Sequence, residues 1–235
     1  MTKILAIDTA TEACSAALLV EGVITSCAEV APQAHTRKIL PMCEQLLHDA
    51  GLTLGELDVI AFGRGPGSFT GVRIGIGVAQ GLAFGAGKQL IAISDLAALA
   101  QGCHRRTGAE RVFCAIDARM NEVYFAAFTL RDGIMEPLAD ESVLAPELAA
   151  ACCQQLMLDN PGSWFAIGTG FAAYAAAFTC LGEAICLDAE SLPWAQDMLV
   201  IAQQPQLLQQ ACEPALATPV YLRDKVTWKK LPGRE

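Results

Sequence analysis

The chain has 235 residues, of which 53% are apolar and only 17% are charged, against a usual charged share of about 25%. This length fits one large domain or two small ones, and the apolar excess predicts a surface covered by a permanent protein partner, unless the chain is simply alanine-rich and well buried. The net charge of −9 argues against a protein that binds the phosphates of nucleic acids through its own surface.

The first half of the chain predicts three strands followed by helix, strand, helix and strand. Thr36 is positioned to cap the first helix, whose apolar residues recur at helical spacing until Gly51 ends it. A second helix is predicted over about 70–86, and Ser94 is positioned to cap a third. The predicted strands are short apolar runs at residues 4–8, 14–20, 23–30, 59–62 and 90–93.

Two landmarks of the first half recur, in the same order, in the second half. Residues 6–8 (Ala-Ile-Asp) have their counterpart at 115–117, and the run 61–65 around Gly63 has its counterpart at 166–170. The second half then repeats the plan, with an alanine-rich helix predicted after Gly170. Two such halves indicate a duplicated domain with a cleft between its parts.

Each half predicts a mixed sheet with helices packed on it, which is the architecture of actin, sugar kinases and their relatives. The fold class is therefore α/β, a duplicated actin-like ATPase (ribonuclease H-like) fold. The polar stretch 101–111 is the expected boundary. It gives a first lobe at residues 1–108 and a second at 109–235, with the tail from about residue 215 returning to the first lobe.

The ten cysteines show neither a C-x-x-C motif nor a disulfide framework. Several lie in apolar runs, where a thiol behaves as a small hydrophobic group. Too few apolar residues precede Asp8 for an export signal, and glycines break the long uncharged stretch at 160–182. We therefore expect a reduced, cytoplasmic protein without a membrane span.

In the actin-like architecture an aspartate ends the first strand of each half, and the turn after it holds ATP phosphates by backbone N–H groups. Asp8 and Asp117 occupy those places, but neither turn contains a glycine. We expect the two aspartates to cap their strand ends. The alternative is a vestigial nucleotide or anion site, whose candidate residues are Asp8, Thr9, Gly65, Gly67, Ser68 and Asp117.

The loop from Arg64 to Arg73, RGPGSFTGVR, is the most distinctive string of the sequence. Its glycines free the backbone, and Ser68 or Thr70 can cap the following helix, whose N-terminus attracts anions. The loop lacks the Gly-Lys-Ser/Thr ending of a Walker motif. A tight strand-to-helix turn without any ligand is the alternative interpretation.

Four strings together resemble the TsaB family, formerly called YeaZ. They are Ile7-Asp8-Thr9, the glycine loop with its helix, Asp117-Ala118-Arg119 with the nearby Glu122-Val123-Tyr124, and 219–223 (PVYLR). The resemblance covers nearly the whole chain. It implies a cytoplasmic subunit for making threonylcarbamoyladenosine in tRNA, at the adenine just 3′ of the anticodon.

The resemblance also implies partners. They are the catalytic paralogue TsaD, which would form a heterodimer with this chain, and the ATPase TsaE. ATP and the metal would belong to those partners, and tRNA would be contacted only indirectly. For the chain alone, a homodimer is the alternative to the heterodimer. The paralogue's His-x-x-x-His metal pair has no counterpart in the stretch 93–100, so no metal ligand and no catalytic residue is assigned here.

The helix after the glycine loop carries glycines on two faces, and each interior glycine costs a helix about 0.5–1 kcal/mol relative to alanine. Close approach of another backbone is the usual reason for such a pattern. One face is expected to pack on the chain's own sheet and the other on a partner, as the family resemblance also implies. The predicted interface residues are Leu40, Leu47, Gly71, Gly75, Gly77, Val78, Gly81, Leu82 and Gly85.

Two other functions compete with this interpretation. An autonomous ATP-dependent kinase or ATPase would use the cleft, and the missing turn glycines count against it. A protease has no support, because Ser68 has no histidine at a recognisable motif spacing and there is no H-E-x-x-H. The basic residues from Arg223 onward are either a solvated tail or a contact for RNA or an acidic partner.

Overall fold

A computed structural model describes residues 2–188 and 191–223. The first of two sheets has the strand order β3-β2-β1-β4-β5. Its first three strands form an antiparallel meander, and β4 and β5 then add in parallel beside β1. The strands are β1 (Ile4–Asp8), β2 (Ala13–Val20), β3 (Val23–Val30), β4 (Val59–Gly63) and β5 (Gln89–Ile93).

The second sheet repeats this topology with the order β11-β10-β6-β7-β8. An antiparallel meander again comes first, β10 and β11 add in parallel beside β6, and β9 pairs with β7. The predicted duplication and the actin-like fold class are confirmed. The strands are β6 (Arg111–Asp117), β7 (Val123–Arg131), β8 (Ile134–Pro137), β9 (Ser142–Leu144), β10 (Trp164–Ile167) and β11 (Ile185–Asp188).

Helices cover both faces of the first sheet. α1 and α2 pack on its outer face, and α3 and α6 lie between the two sheets, where α3 also contacts β6 and β8. α4 and α5 cover the far face of the second sheet. The helices are α1 (His35–Asp49), α2 (Phe69–Ala86), α3 (Asp95–Thr107), α4 (Pro146–Asp159), α5 (Thr169–Ala173), α6 (Ala195–Ala202) and α7 (Pro205–Leu208).

Sequence signals place most helix ends correctly. The backbone N–H of Gly71 donates to the Ser68 hydroxyl at the start of α2, and that of Ala97 donates to the Ser94 hydroxyl at the start of α3. Gly87 ends α2 in the left-handed conformation, with φ of 63°. The cap predicted at Thr36 is wrong, because α1 begins one residue earlier and its N-cap position has no side-chain cap.

The predicted boundary stretch 101–111 contains the end of α3, which continues to Thr107, and the start of β6. Within it Gln101 is buried, whereas Arg105 and Arg106 are exposed. The alanine-rich helix predicted after Gly170 is broken, since α5 ends at Ala173 and 3-10 turns follow it. Alanines favour a helix, but the backbone of Tyr174 directly after α5 is non-helical, and so is that of Gly182 further on.

The chain returns to the first sheet well before its end. α6 already packs on β1, β2 and β4, and the backbone N–H of Ala195 donates to the Ser15 hydroxyl at 2.9 Å. Further on, Cys212 and Leu90 exchange backbone hydrogen bonds. The return predicted at about residue 215 therefore begins near residue 195, because α6 carries the apolar face that covers β1.

Candidate functional site

A cleft of about 870 Å³ opens between the two sheets, where β1 and β6 end. Both strand-end turns line it, as do the start of the glycine loop's helix and the C-terminal segment at Arg223. Asp117, Gly67 and Ser68, three of the candidate nucleotide-site residues, lie on its wall. The remaining candidates lie behind the wall, since Asp8 and Thr9 are buried.

The turn after β1 uses its own polar groups internally. The backbone N–H of Ala10 donates to Asp8 Oδ1 at 2.8 Å, and that of Ala13 donates to the Thr11 hydroxyl at 3.2 Å. The Thr9 hydroxyl donates to the carbonyl of Gly71 at 2.7 Å. Asp8 thus caps the strand end, and two of the N–H groups that could face a phosphate are already engaged.

The turn after β6 is closed by charged side chains. The backbone N–H of Arg119 donates to Asp117 Oδ1, and its guanidinium donates to Asp117 Oδ2, both at 2.8 Å. The same guanidinium lies 3.7 Å from Glu12 of the opposite turn. Arg119, Met120 and Asn121 have φ of 60°, 57° and 60°, an uncommon conformation for side-chain-bearing residues. Asp117 also caps its strand, and Arg119 spans the mouth where phosphates would enter.

The glycine loop packs directly on the turn after β1. A Cβ atom at Gly67 would lie 2.3 Å from the carbonyl oxygen of Ala10, and the backbone N–H of Ser68 donates to that same oxygen at 2.7 Å. Gly65 has φ of 93°, which only glycine adopts readily. The loop therefore needs its glycines for close packing within the chain, which accounts for them without any ligand.

The C-terminal segment, for which the sequence predicted a return to the first lobe, joins the two halves beside the cleft. The N–H of Val220 donates to the carbonyl of Arg64 at 2.9 Å. Three residues on, the Arg223 guanidinium forms an ion pair with Glu122 and donates to the carbonyl of Ala118 at 3.1 Å. The segment ties the glycine loop to the turn after β6. Its basic continuation at Lys225, Lys229, Lys230 and Arg234 lies outside the described residues.

The two glycine faces of α2 have opposite surroundings. Cβ atoms at Gly71 and Gly75 would lie 2.3 Å from the Thr9 carbonyl oxygen and 2.8 Å from the Thr9 hydroxyl. At Gly77, Gly81 and Gly85 they would meet no atom of the described chain within 4 Å apart from the helix's own neighbouring backbone. Gly71 and Gly75 therefore belong to the inner face and are removed from the predicted interface. Their helix approaches the turn after β1 too closely for a side chain.

The larger predicted interface residues also differ in how exposed their side chains are. Leu40 is 41% exposed, whereas Leu47 is only 7% exposed and belongs to the core under the first sheet. Leu47 is therefore a core residue in this chain, because its side of α1 faces β2. Val78 and Leu82 are half-buried, with part of each side chain on the outer side of α2.

Exposed aromatic and basic side chains extend the outer face of α2 at both ends. Phe69 is 63% exposed, and the Arg73 guanidinium lies 3.3 Å from the centre of its ring. Tyr221 of the C-terminal segment adds a second ring, 6.2 Å from that of Phe69. Near the other end, Phe84 is 84% exposed. The sequence pattern of small residues did not reveal these flanking groups.

A buried acidic pair lies behind the glycine loop, and sequence reasoning found only one of its members. Asp8 and Asp95 are both fully buried, and burial raises the pKa of each. Asp95 begins α3, and its Oδ2 accepts from the backbone N–H of Gly65 at 2.6 Å. An aspartate in the first turn of a helix is so common that its burial gave no signal in the sequence.

Within residues 2–188 and 191–223, no group of three or more His, Cys, Asp and Glu is arranged to hold a metal ion. The His35 ring lies 3.2 Å from the carbonyl oxygen of Ala13, and the His104 ring lies 3.0 Å from that of Ala109. Both imidazoles are therefore hydrogen-bonded to the backbone. In the same described part of the chain, no helix is both long and apolar enough to span a bilayer.

Residues 20–231 match the family model described as "TsaD: tRNA N6-adenosine threonylcarbamoyltransferase". The chain is 47% identical over 234 residues to the tRNA threonylcarbamoyladenosine biosynthesis protein TsaB of Escherichia coli K12, covering 99% of this chain and 100% of the relative. It is also 47% identical over 244 residues to the protein of the same name from Haemophilus influenzae, covering 99% and 98%.

Two solved structures are also similar to this chain over most of its length. The structure described as YeaZ from Pseudomonas aeruginosa is similar with a TM-score of 0.85 and 47% identity, covering 94% of this chain and 100% of that one. A second structure, described as an uncharacterized protein with similarity to peptidase YEAZ from the same organism, has a TM-score of 0.86 and 46% identity, covering 95% and 100%.

Proposed function

The chain belongs to the TsaB family of tRNA threonylcarbamoyladenosine biosynthesis proteins, and we propose that within this pathway it is a non-catalytic subunit that binds and activates a TsaD-like catalytic paralogue. Its role in forming threonylcarbamoyladenosine in tRNA follows from the full-length similarity to proteins of that name. We propose both the identity of the partner and the surface that binds it.

The proposal of a protein partner rests on one observation, the open outer face of α2. Gly77, Gly81 and Gly85 leave one side of the helix open, and no interaction within the described chain explains them. An interior glycine costs a helix about 0.5–1 kcal/mol of stability relative to alanine. Three glycines spaced four residues apart on one face therefore favour close approach of a second helix. Exposed Phe69 and Phe84 on α2 add apolar area to this helix, and the exposed Leu40 lies on α1, which contacts α2.

The cleft supports the non-catalytic part of the proposal. N–H groups of both strand-end turns are bound by Asp8, Thr11 and Asp117, and the Arg119 guanidinium pairs with Asp117 and Glu12 across the opening. A nucleotide would have to displace these internal bonds. We therefore propose that the vestigial site holds no ATP and that ATP and a metal are bound by the partner subunits, including a TsaE-like ATPase.

The charge of the chain supports an indirect role for tRNA. The net charge of −9 repels a polyanion, so the paralogue would supply the phosphate contacts. Without the paralogue, the same open face of α2 would pair with a second copy, since a two-fold axis brings one face against itself. The isolated chain is thus expected to form a homodimer that the paralogue disrupts.

A reconstituted transfer assay tests the catalytic assignment. TsaD-like paralogue, TsaE-like ATPase, threonylcarbamoyl-adenylate and tRNA are combined with and without this chain. Modification should require the paralogue in every case and rise at least tenfold when this chain is added. Modified adenine formed by this chain without the paralogue contradicts the proposal.

A nucleotide titration of the isolated chain separates the proposal from an autonomous ATPase. The cleft of about 870 Å³ is large enough for a nucleotide, which is the observation favouring that alternative. We expect no binding of Mg-ATP at micromolar concentrations. Micromolar affinity with turnover would favour the ATPase. If the parent does not bind, the titration is repeated with Arg119→Ala, because that substitution opens the cleft.

A further inference from the structure

The carboxyl groups of Asp8 and Asp95 lie together behind the glycine loop, fully buried, where β4 passes over them. A Cβ atom at Gly63 would lie 2.6 Å from Asp95 Oδ1 and 2.8 Å from Asp8 Oδ1. Both carboxyl groups therefore touch the same point of the backbone, and any other residue at position 63 would push them apart. Nothing in the proposed function uses this pair.

Each carboxyl group has one oxygen engaged and one without a partner. Asp8 Oδ1 accepts from the N–H of Ala10 at 2.8 Å, and Asp95 Oδ2 accepts from the N–H of Gly65 at 2.6 Å. In the part of the chain that the structure describes, Asp8 Oδ2 and Asp95 Oδ1 are the buried side-chain oxygens that lack a donor. Leaving two buried oxygens unpaired is costly, and two adjacent carboxylates repel each other.

We propose that Asp8 and Asp95 share a single proton, and that this carboxyl–carboxylate hydrogen bond fastens the glycine loop to the turn after β1. A proton on Asp95 Oδ1 donates to Asp8 and gives a partner to both orphaned oxygens in one bond. The pair then connects three segments. Asp8 holds the turn at Ala10, Asp95 holds the loop at Gly65, and the N–H of Asp95 donates back to the Gly65 carbonyl at 3.1 Å.

The surrounding charges agree with a proton that remains on Asp95. Burial raises the pKa of Asp8 to about 6, and burial together with the charge of Asp8 raises the pKa of Asp95 well above its usual value. His35 on α1 lowers the pKa of Asp8, and Arg64 after β4 lowers that of Asp95. On β2, burial and then the charge of Asp8 raise the pKa of the Cys14 thiol, and on α6 the Met198 methyl lies 3.1 Å from the position that a Cβ atom at Gly63 would occupy.

The shared proton has a defined consequence for stability. Because both pKa values are higher in the folded state, the folded chain holds a proton that the unfolded chain releases. The stability linked to that proton is fully present below the unfolded pKa, near 3.8. It is lost only as pH rises through the raised folded pKa of Asp95, whereas a second proton, held by Asp8, is already lost as pH rises through the folded pKa of Asp8, about 6.

Asparagine substitutions test the single shared proton. In Asp95→Asn the amide oxygen accepts from Gly65 and the amide nitrogen donates to Asp8, so both contacts persist without a proton. Asp8→Asn preserves the arrangement with the roles exchanged. In the double variant both amide oxygens are held by backbone N–H groups, so two NH₂ groups face each other without an acceptor.

The measurement is urea unfolding of the full chain at about pH 8 and about pH 5. Each single variant should have an unfolding midpoint equal to or above the parent at the higher pH, and should gain less than the parent on acidification. The double variant should have a lower unfolding midpoint than either single variant. Single variants that unfold, or a double variant whose shift equals the sum of the single shifts, overturn the proposal.

Infrared difference spectroscopy provides a readout that a purely structural role would not change. The parent at neutral pH should show the C=O stretch of one protonated carboxyl, which both single variants lack. A parent spectrum without that band means that no proton is shared. The inference concerns the free chain, so its failure would leave the proposed partner and the role of α2 untouched.

Discussion

The inner and outer faces of α2 differ in what lies beside their glycines, although the sequence presents both as small residues every four positions. On the inner face, Gly71 and Gly75 contact Thr9 so closely that no side chain fits. On the outer face, Gly77, Gly81 and Gly85 face open space. A glycine pattern therefore has two explanations within one helix, and only the outer face needs a partner to explain it.

Replacing Gly71 by alanine is expected to have the largest effect on stability. The new Cβ would lie 2.3 Å from the carbonyl oxygen of Thr9, which cannot rotate away, so the helix must shift and the bond from the Thr9 hydroxyl to the Gly71 carbonyl must stretch. We expect a loss of about 3 kcal/mol in the free energy of unfolding, measured in urea. A loss below about 0.5 kcal/mol would show that the inner face is not tightly packed.

The same substitution at Gly81 should act in the opposite direction. A Cβ atom there meets no atom of the described chain within 4 Å, and alanine is the better helix former. Gly81→Ala should therefore stabilise the monomeric chain by about 0.5–1 kcal/mol. The measurement is urea unfolding at low protein concentration, so that self-association does not contribute. A clear loss of stability would place the outer face in internal packing.

Arg73→Ala tests the aromatic end of the outer face and should have an effect as small as that of Gly81→Ala, in the opposite direction. Its guanidinium stacks on the exposed ring of Phe69, an arrangement worth about 0.5–1 kcal/mol at exposed sites. We expect a loss of stability within that range, with the helix content by circular dichroism unchanged. Arg73→Lys is the matched control, because it keeps the charge and loses the planar stacking. A loss above about 2 kcal/mol in the free energy of unfolding would show that Arg73 stabilises the fold itself and is not simply part of an exposed surface.

Local patterns were enough to predict the duplicated fold and most element positions. Strand runs such as residues 4–8, the hydroxyl cap at Ser94 and the repeated Ala-Ile-Asp all depend on neighbouring residues and appear directly in the sequence, and Ser68 is one of the two caps predicted for α2. The one failed cap, at Thr36, shows the limit. A hydroxyl signals a helix start to within about a turn, but the packing of α1 on β2 decides the residue.

The candidate site was less accessible to sequence reasoning because its decisive contacts join distant residues. Arg223 pairs with Glu122 and Asp95 lies beside Asp8, and neither pair has a fixed spacing along the chain. The assignment of glycines to an inner and an outer face also needed the orientation of α2 on its sheet. Periodicity groups residues into faces, but it does not say which face is covered.

The affinity of Gly81→Leu for the TsaD-like paralogue tests the central claim most directly. A Cβ atom at Gly81 meets open space, so at a protein concentration low enough to keep the parent monomeric the variant should fold and melt like the parent. At a close helix–helix contact the same side chain should weaken binding at least a hundredfold in calorimetric titration. Leu158→Ser, at a residue 77% exposed on α4, is the control and should bind like the parent. Parental affinity of a folded Gly81→Leu protein would contradict the account.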